Sequence, residues 1–216
     1  MRNDLYIGWI VLVVFSYLLG SCLFSQWLPM LLRKKDIASI SDDHCPGSAN
    51  VFTHCGWQLG LVCLTLDMAK GFLPVFLGLH YAGWQSYLFS FLMLAPVLGH
   101  AWSIFFRFRG GKCIATIFGE LLALLRITPS FFILAVLFIL FSTVIKISPN
   151  NRRSILVFSL FAIIAFCLEL FFGRDEVGAG CLLISVIAIV KHLPPHKPKL
   201  QEAENRSAIL AEGPVS

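Results

Sequence analysis

The chain has 216 residues, of which 57% are hydrophobic and only 13% charged, with a formal net charge of +5. A soluble domain is about 45–50% apolar and about 25% charged, so this balance excludes an ordinary soluble globule and points to a polytopic membrane protein. The mean hydropathy of +0.80 agrees, and no basic run interleaved with aromatics, as a nucleic-acid partner would require, appears outside the membrane boundaries.

Apolar runs set the order of the chain. The first covers about residues 5–31 and is broken near Gly20-Ser21. Leu19-Gly20-Ser21-Cys22 resembles a lipoprotein cleavage site, but Arg2 is offset by Asp4 in a weak leader, so the run reads as a retained helix. Polar residues 33–56 follow, then runs at about 57–80 and 86–106. A glycine turn at 110–111 leads into a short fourth run, about 113–125, and Thr128-Pro129 mark the start of a fifth reaching about 147. SPNNRR at 148–153 reads as a loop; a sixth run covers about 154–172 and a seventh about 177–192. This predicts a transmembrane unit over 1–193 and a mobile, polar cytoplasmic tail over 194–216. The seven cysteines include no CxxC pair and several lie within apolar runs, where a thiol behaves as a small hydrophobe, so no disulfide framework is expected.

Seven runs predict an all-α integral membrane fold with seven crossings, the N-terminus outside and the C-terminus cytoplasmic. The cations support that count. Inside would lie Arg33, Lys34, Lys35, Arg107, Arg109, Lys112, Lys146, Arg152, Arg153, Lys191, Lys197, Lys199 and Arg206; outside would lie Arg2, Arg126 and Arg174. That asymmetry is what the positive-inside rule expects of a multi-pass cell-membrane protein. The helices after 33–56 and after Gly111 then start on the cytoplasmic side, where two positive helix ends and the cations suit an anionic substrate.

The stretch 99–116, GHAWSIFFRFRGGKCIAT, gathers His100, Arg107, Arg109 and Lys112 around Gly110 and Gly111. Glycines allow a turn and close approach of a ligand, and the helix start behind them offers free N–H groups to a phosphate. Within apolar runs, Asp67 and Lys70 stand at i and i+3; a charge at a helix centre costs about 2.5–3.5 kcal/mol, so the two are read as a structural ion pair. Glu120 also lies in an apolar run, and Glu169 sits close enough to a helix end to snorkel. His44-Cys45 and His54-Cys55 carry zinc-ligand chemistry, but their spacing fits no standard site, and no metal is expected.

Together these residues resemble one family, the integral-membrane acyl-phosphate:glycerol-3-phosphate acyltransferases (PlsY). YLLGSCLFS is similar to the family's Tyr-Leu-Leu-Gly-Ser-Ile-Pro-Phe, and LDMAKG followed by Pro74 to its Leu-Asp-x-x-Lys-Gly. GHAWSIFFRFRGGKCIAT is similar to Gly-His-x-x-Pro-x-Phe-x-x-Phe-Lys-Gly-Gly-Lys-Gly-Val-Ala-Thr. The resemblance implies transfer of a fatty acyl group from acyl phosphate to glycerol 3-phosphate, giving lysophosphatidic acid, with no cofactor. It implies a membrane-lipid setting and a soluble enzyme that supplies acyl phosphate. It assigns catalysis to Lys112 and His100, and substrate binding to Pro46, Gly47, Asn50, Lys70, Arg109, Gly110, Gly111 and His192.

The match is uneven. Where the family reads Gly-Ser-Gly-Asn-Pro-Gly-Ala-Thr-Asn and then Val-Leu-Arg, this chain reads DDHCPGSAN and then VFT. Asp43 replaces the serine, Cys45 the first asparagine, Ala49 the threonine, and Thr53 the arginine expected to hold phosphate. The family's His-Arg-x-Asn-Ile is reduced to Lys191 and His192. Three readings follow: a glycerol-3-phosphate acyltransferase with compensating residues, an acyltransferase with another acceptor, or a non-catalytic member that keeps the fold.

Overall fold

The computed structural model describes residues 2–194, so the expected tail lies, but for its first residue, outside the described residues. The helices are α1 (Arg2–Ser21), α2 (Phe24–Arg33), α3 (Ile37–Ile40), α4 (Ser48–Cys55), α5 (Trp57–Tyr81), α6 (Tyr87–Ala101), α7 (Ile114–Ala123), α8 (Ser130–Ile139), α9 (Asn150–Phe171) and α10 (Asp175–His192). Among the described residues no strand forms beyond one isolated bridge between Ser103 and Arg109. The seven apolar runs become the α1–α2 pair and α5 through α10. By length and apolar character α5 and α9 suffice to cross a membrane, and the α1–α2 pair, bent by 41°, makes a third candidate. The ten residues of α7 rise only about 15 Å, half a bilayer core.

The charges inside α5 serve the break between α1 and α2. Ending one helix and starting another leaves backbone carbonyls without helical partners. Lys70 Nζ donates to Cys22 O at the break, 2.7 Å away, and lies 2.9 Å from Asp67 Oδ1. Ser25 Oγ, on the first turn of α2, donates to Asp67 Oδ2 at 2.5 Å. All three side chains are buried. The ion pair therefore fixes a helix junction.

Hydrogen bonds orient the later helices. At one end, Tyr87 Oη on α6 donates to Asp175 Oδ2 on α10 (2.7 Å) and Ser90 Oγ to Glu176 O (2.5 Å). At the other, Lys191 Nζ on α10 donates to Ala101 O on α6 (3.0 Å). So α6 and α10 run parallel, with α9 antiparallel between them in sequence. Phe89, Leu92, Met93 and Val97 of α6 meet Ile117 and Leu121 of α7, Phe158 and Phe161 of α9 and Ile184 of α10 in one buried core. The α5–α7 approach is closer still: a Cβ on Gly71 would stand 2.1 Å from Thr116 O, and one on Gly119 would stand 1.9 Å from Met68 O. Such small-residue contacts pack membrane helices, where no hydrophobic drive separates helix from lipid. Outside, Ile7, Ile10 and Val14 of α1, Phe132, Val136 and Ile139 of α8, and Ile163 and Phe171 of α9 remain exposed. An apolar core wrapped in an apolar exterior is the pattern of a bundle in lipid.

Two local expectations are corrected. SPNNRR is not a loop, because α9 begins at Asn150: Pro149 takes the N-cap place, where its missing N–H costs nothing, and the Asn-Asn-Arg-Arg run continues as helix. Glu169 does not snorkel. It is fully buried, paired with Arg174 Nε at 2.6 Å and bonded by the Thr128 and Ser130 hydroxyls, while Arg174 Nη1 also donates to Ile127 O.

Candidate functional site

The turn before α7 is built differently from its sequence reading. Its left-handed residues are Arg107 (φ 54°), Phe108 (φ 58°) and Cys113 (φ 66°), not the glycines. Gly110 and Gly111 instead provide room. A Cβ on Gly110 would lie 2.0 Å from His100 O, and one on Gly111 would lie 2.2 Å from His100 Nε2. The Gly111 N–H donates to His100 O at 3.0 Å. The buried His100 ring thus lies directly beneath the turn, and only residues without side chains can pass over it.

That turn delivers Lys112 to a cavity of about 230 Å³ at the end of the bundle where α6 and α10 finish. Its wall includes Asp43, Cys45, Gly47 and Asn50 before and within α4, Asp67 of α5, and His100 of α6. Lys112 to Ala115 at the start of α7, Asn150, Asn151, Arg153 and Ser154 of α9 and His192 of α10 complete it. Three helices, α4, α7 and α9, direct their N-termini here, each with unpaired N–H groups and a partial positive charge. The expectation was two, from the helices that became α5 and α7; the short α4 takes the place of α5, and α9 adds the third.

Lys112 is not free for a ligand alone. Its Nζ donates to Asp43 Oδ2 at 2.7 Å and to Asn151 Oδ1 at 2.8 Å, which leaves one of three ammonium hydrogens. Asn50 Nδ2 donates to Asp43 Oδ1 (2.9 Å) and Cys45 O (2.8 Å), stitching the loop before α4 onto its first turn. Burial works against the charged Asp43 carboxyl, but hydrogen bonds from Lys112 and Asn50, with the Lys112 charge, prevail and hold it below the usual carboxylate range. Burial, and then the Asp43 charge, pushes the Cys45 thiol up to about 11, so it stays protonated and is no nucleophile. His192 Nδ1 faces Ala188 O at 2.7 Å; a carbonyl only accepts, so Nδ1 carries the proton and Nε2 is the acceptor. His100 Nδ1 lies 4.0 Å from Asp67 Oδ1, beyond a direct hydrogen bond.

The cavity therefore unites Gly47, Asn50, His100, Lys112 and His192, with Gly111 forming the turn above His100. It does not include the other expected residues. Pro46, Arg109 and Gly110 line a separate cavity of about 770 Å³ beside Gln26, Asp36 and His44, and Lys70 spends its charge at the α1–α2 break. Thr53 is exposed on α4, its hydroxyl bonded to Ala49 O at 3.2 Å. Asn151 and Arg153 were missed because their segment read as a loop whose arginines were counted only toward topology, and Ser154 because it opened an apolar run. Among the described residues no three histidine, cysteine or acidic side chains gather as a metal would need.

Comparison with known proteins gives the chain a family. The glycerol-3-phosphate acyltransferase family model matches residues 10–200. The chain belongs to that family. Glycerol-3-phosphate acyltransferase 2 of Thermotoga maritima is 30% identical over 185 residues, 86% of this chain and 89% of that protein. Glycerol-3-phosphate acyltransferase of Maridesulfovibrio salexigens is 37% identical over 133 residues, 60% of this chain and 67% of that protein. The crystal structure of PlsY, an integral membrane glycerol 3-phosphate acyltransferase, in its glycerol 3-phosphate form, superposes with a TM-score of 0.73. It is 27% identical, covering 94% of this chain and 92% of that one. The lysophosphatidic acid form gives a TM-score of 0.69 at 29% identity. This chain is thus an integral membrane member of the family.

Proposed function

We propose that this chain transfers a fatty acyl group from acyl phosphate to glycerol 3-phosphate in the cavity bounded by Lys112, Arg153 and the N-termini of α4, α7 and α9. The observation that carries this reading is the convergence of three helix N-termini and two cations on one small cavity. Acyl phosphate already has a good leaving group, so the chain must mainly position two anions and offset their repulsion. A glycerol 3-phosphate hydroxyl oxygen bonds to the acyl carbonyl carbon, the carbonyl carbon–phosphate oxygen bond breaks, and the hydroxyl proton leaves on the phosphate. No protein nucleophile is needed, consistent with a protonated Cys45. In this reading the remaining Lys112 hydrogen and the helix N–H groups hold phosphate oxygens, while His100 positions the turn from beneath. His192, on the cavity wall, would offer its Nε2 as an acceptor.

The membrane placement is part of the proposal. Helices α1–α2 and α5 through α10 cross seven times, the N-terminus is outside, and the cavity opens to the cytoplasm beside the Arg107, Arg109, Lys112, Arg152 and Arg153 positions. Acyl phosphate then arrives from a soluble cytoplasmic enzyme that makes it. The short α7 crosses packed tightly against the longer α5.

One observation favours a second acceptor. Asp43 on Lys112 disfavours a phosphate dianion, so an acceptor of lower charge fits the same cavity. The deciding experiment is phosphate release from acyl phosphate by the purified protein in detergent. Release that requires glycerol 3-phosphate and disappears in Lys112→Ala supports the first reading. Release only with a neutral polyol or lipid acceptor supports the second, and no release with any acceptor refutes both.

A further inference from the structure

Arg153 occupies an electrostatically unfavourable place. It lies in the first turns of α9, where the helix dipole disfavours a cation. Its Nε is fully shielded from solvent and has no hydrogen-bond partner among the described residues, yet the side chain lines the cavity. The other charges of that wall are matched: Lys112 by Asp43, and Asp67 by Lys70. A guanidinium is always charged and offers a planar fork of donors suited to phosphate oxygens. A buried donor without a partner, beside three helix N-termini, is a site prepared for an anion.

We propose that Arg153 binds a substrate phosphate in this cavity, supplying the guanidinium that the position of Thr53 lacks. The inference rests on the acyltransferase reading for the identity of the phosphate, carried either by glycerol 3-phosphate or by the acyl phosphate donor. Arg153 reaches the cavity from α9 and not from α4, so the anion is held against the face formed by Asn151 and Ser154. Lys112, shared with Asp43 and Asn151, contributes its one remaining hydrogen.

The test uses the full chain in detergent, as wild type, Arg153→Gln and Arg153→Lys, with melting curves to show that each folds. Calorimetric binding of glycerol 3-phosphate without donor requires no turnover. Arg153→Gln weakens it by about tenfold or more, while Arg153→Lys, which keeps the charge and loses the fork, weakens it several-fold. In steady state the KM for glycerol 3-phosphate rises in step and the KM for acyl phosphate stays within about twofold. The mirror pattern, a raised KM for acyl phosphate with glycerol 3-phosphate binding intact, assigns Arg153 to the donor phosphate. Wild-type affinity of the folded variants for both substrates overturns the proposal. If Arg153→Gln does not fold, an unaltered affinity in Arg153→Lys overturns it equally. Failure of the acyltransferase reading is separate: it appears as absence of turnover in wild type, whatever the binding data give.

Discussion

Asp43→Ser tests whether the acidic loop restrains this site. Asp43 takes one Lys112 hydrogen at 2.7 Å and places a negative charge beside the only other cation of the cavity besides Arg153 among its lining residues. The pair is partly exposed, so its removal changes stability by only about 0–1 kcal/mol. Its effect on a bound phosphate is larger. Two unit charges 4 Å apart at an effective dielectric of 20 interact by about 4 kcal/mol, and the opening to solvent reduces this. Returning one charge-assisted hydrogen bond to the ligand adds about 1.5–3 kcal/mol. Allowing for screening, we expect a net gain near the lower of these figures, about 1.5 kcal/mol, or a KM for glycerol 3-phosphate some tenfold lower, with the melting temperature nearly unchanged. The assay is initial-rate phosphate release at fixed acyl phosphate over a glycerol 3-phosphate titration. An unchanged or raised KM in the folded variant would refute the reasoning, because Asp43 would then be part of the acceptor site and not a competitor for Lys112.

The same pair fixes a pH dependence. Asp43 has a lowered folded pKa, so its contribution is complete above the unfolded value near 3.9 and is lost as pH falls through the lower folded one. The ratio of wild-type to Asp43→Ser KM should therefore be flat between about pH 7.5 and 8.5, where a phosphate monoester with its second pKa near 6 is already a dianion; a slope there would contradict the assignment. Gly111→Ala places a Cβ 2.2 Å from His100 Nε2, and overpacking of this kind costs about 1–3 kcal/mol, seen as a lower melting temperature together with lost turnover. Asp67→Asn leaves the buried Lys70 charge with Cys22 O alone and removes the carboxylate that accepts from Ser25 Oγ; a loss of about 3–5 kcal/mol is expected, and a wild-type melting curve in detergent would sink the ion-pair account.

How much was legible in the chain depended on which force set each feature. The apolar runs were readable because burial in lipid demands length, and every run became a helix at nearly its expected place. The break near Gly20-Ser21 was readable too, but its hydrogen-bonding partner was not: nothing local connects Lys70 to a carbonyl 48 residues earlier. The Gly-Gly-Lys turn was located correctly and explained wrongly. Glycine suggested unusual dihedrals, whereas Arg107, Phe108 and Cys113 adopt them and the glycines yield space to His100. That is a packing fact, and packing across helices leaves no trace in spacing. The separation of Arg109 and Pro46 from Lys112 into another cavity has the same origin.

The start of α9 carries the further step. Against the family pattern, the loop before α4 has gained an anion in Asp43, and α4 has lost a cation at Thr53. On the proposed reading, a cavity so altered would repel a phosphate dianion unless charge entered from another element. The first turns of α9 provide that element, with Asn151 on Lys112 and Arg153 on the wall beside it. Both were hidden in a segment that polar composition made look like a loop. The weakness of the loop motif and the cationic start of α9 are thus one observation seen from two sides of the same cavity. Combining Arg153→Gln with Asp43→Ser measures their link. Groups that share one ligand depart from additivity by about 0.5–3 kcal/mol, whereas strictly additive effects on glycerol 3-phosphate affinity would place Asp43 and Arg153 at unrelated sites.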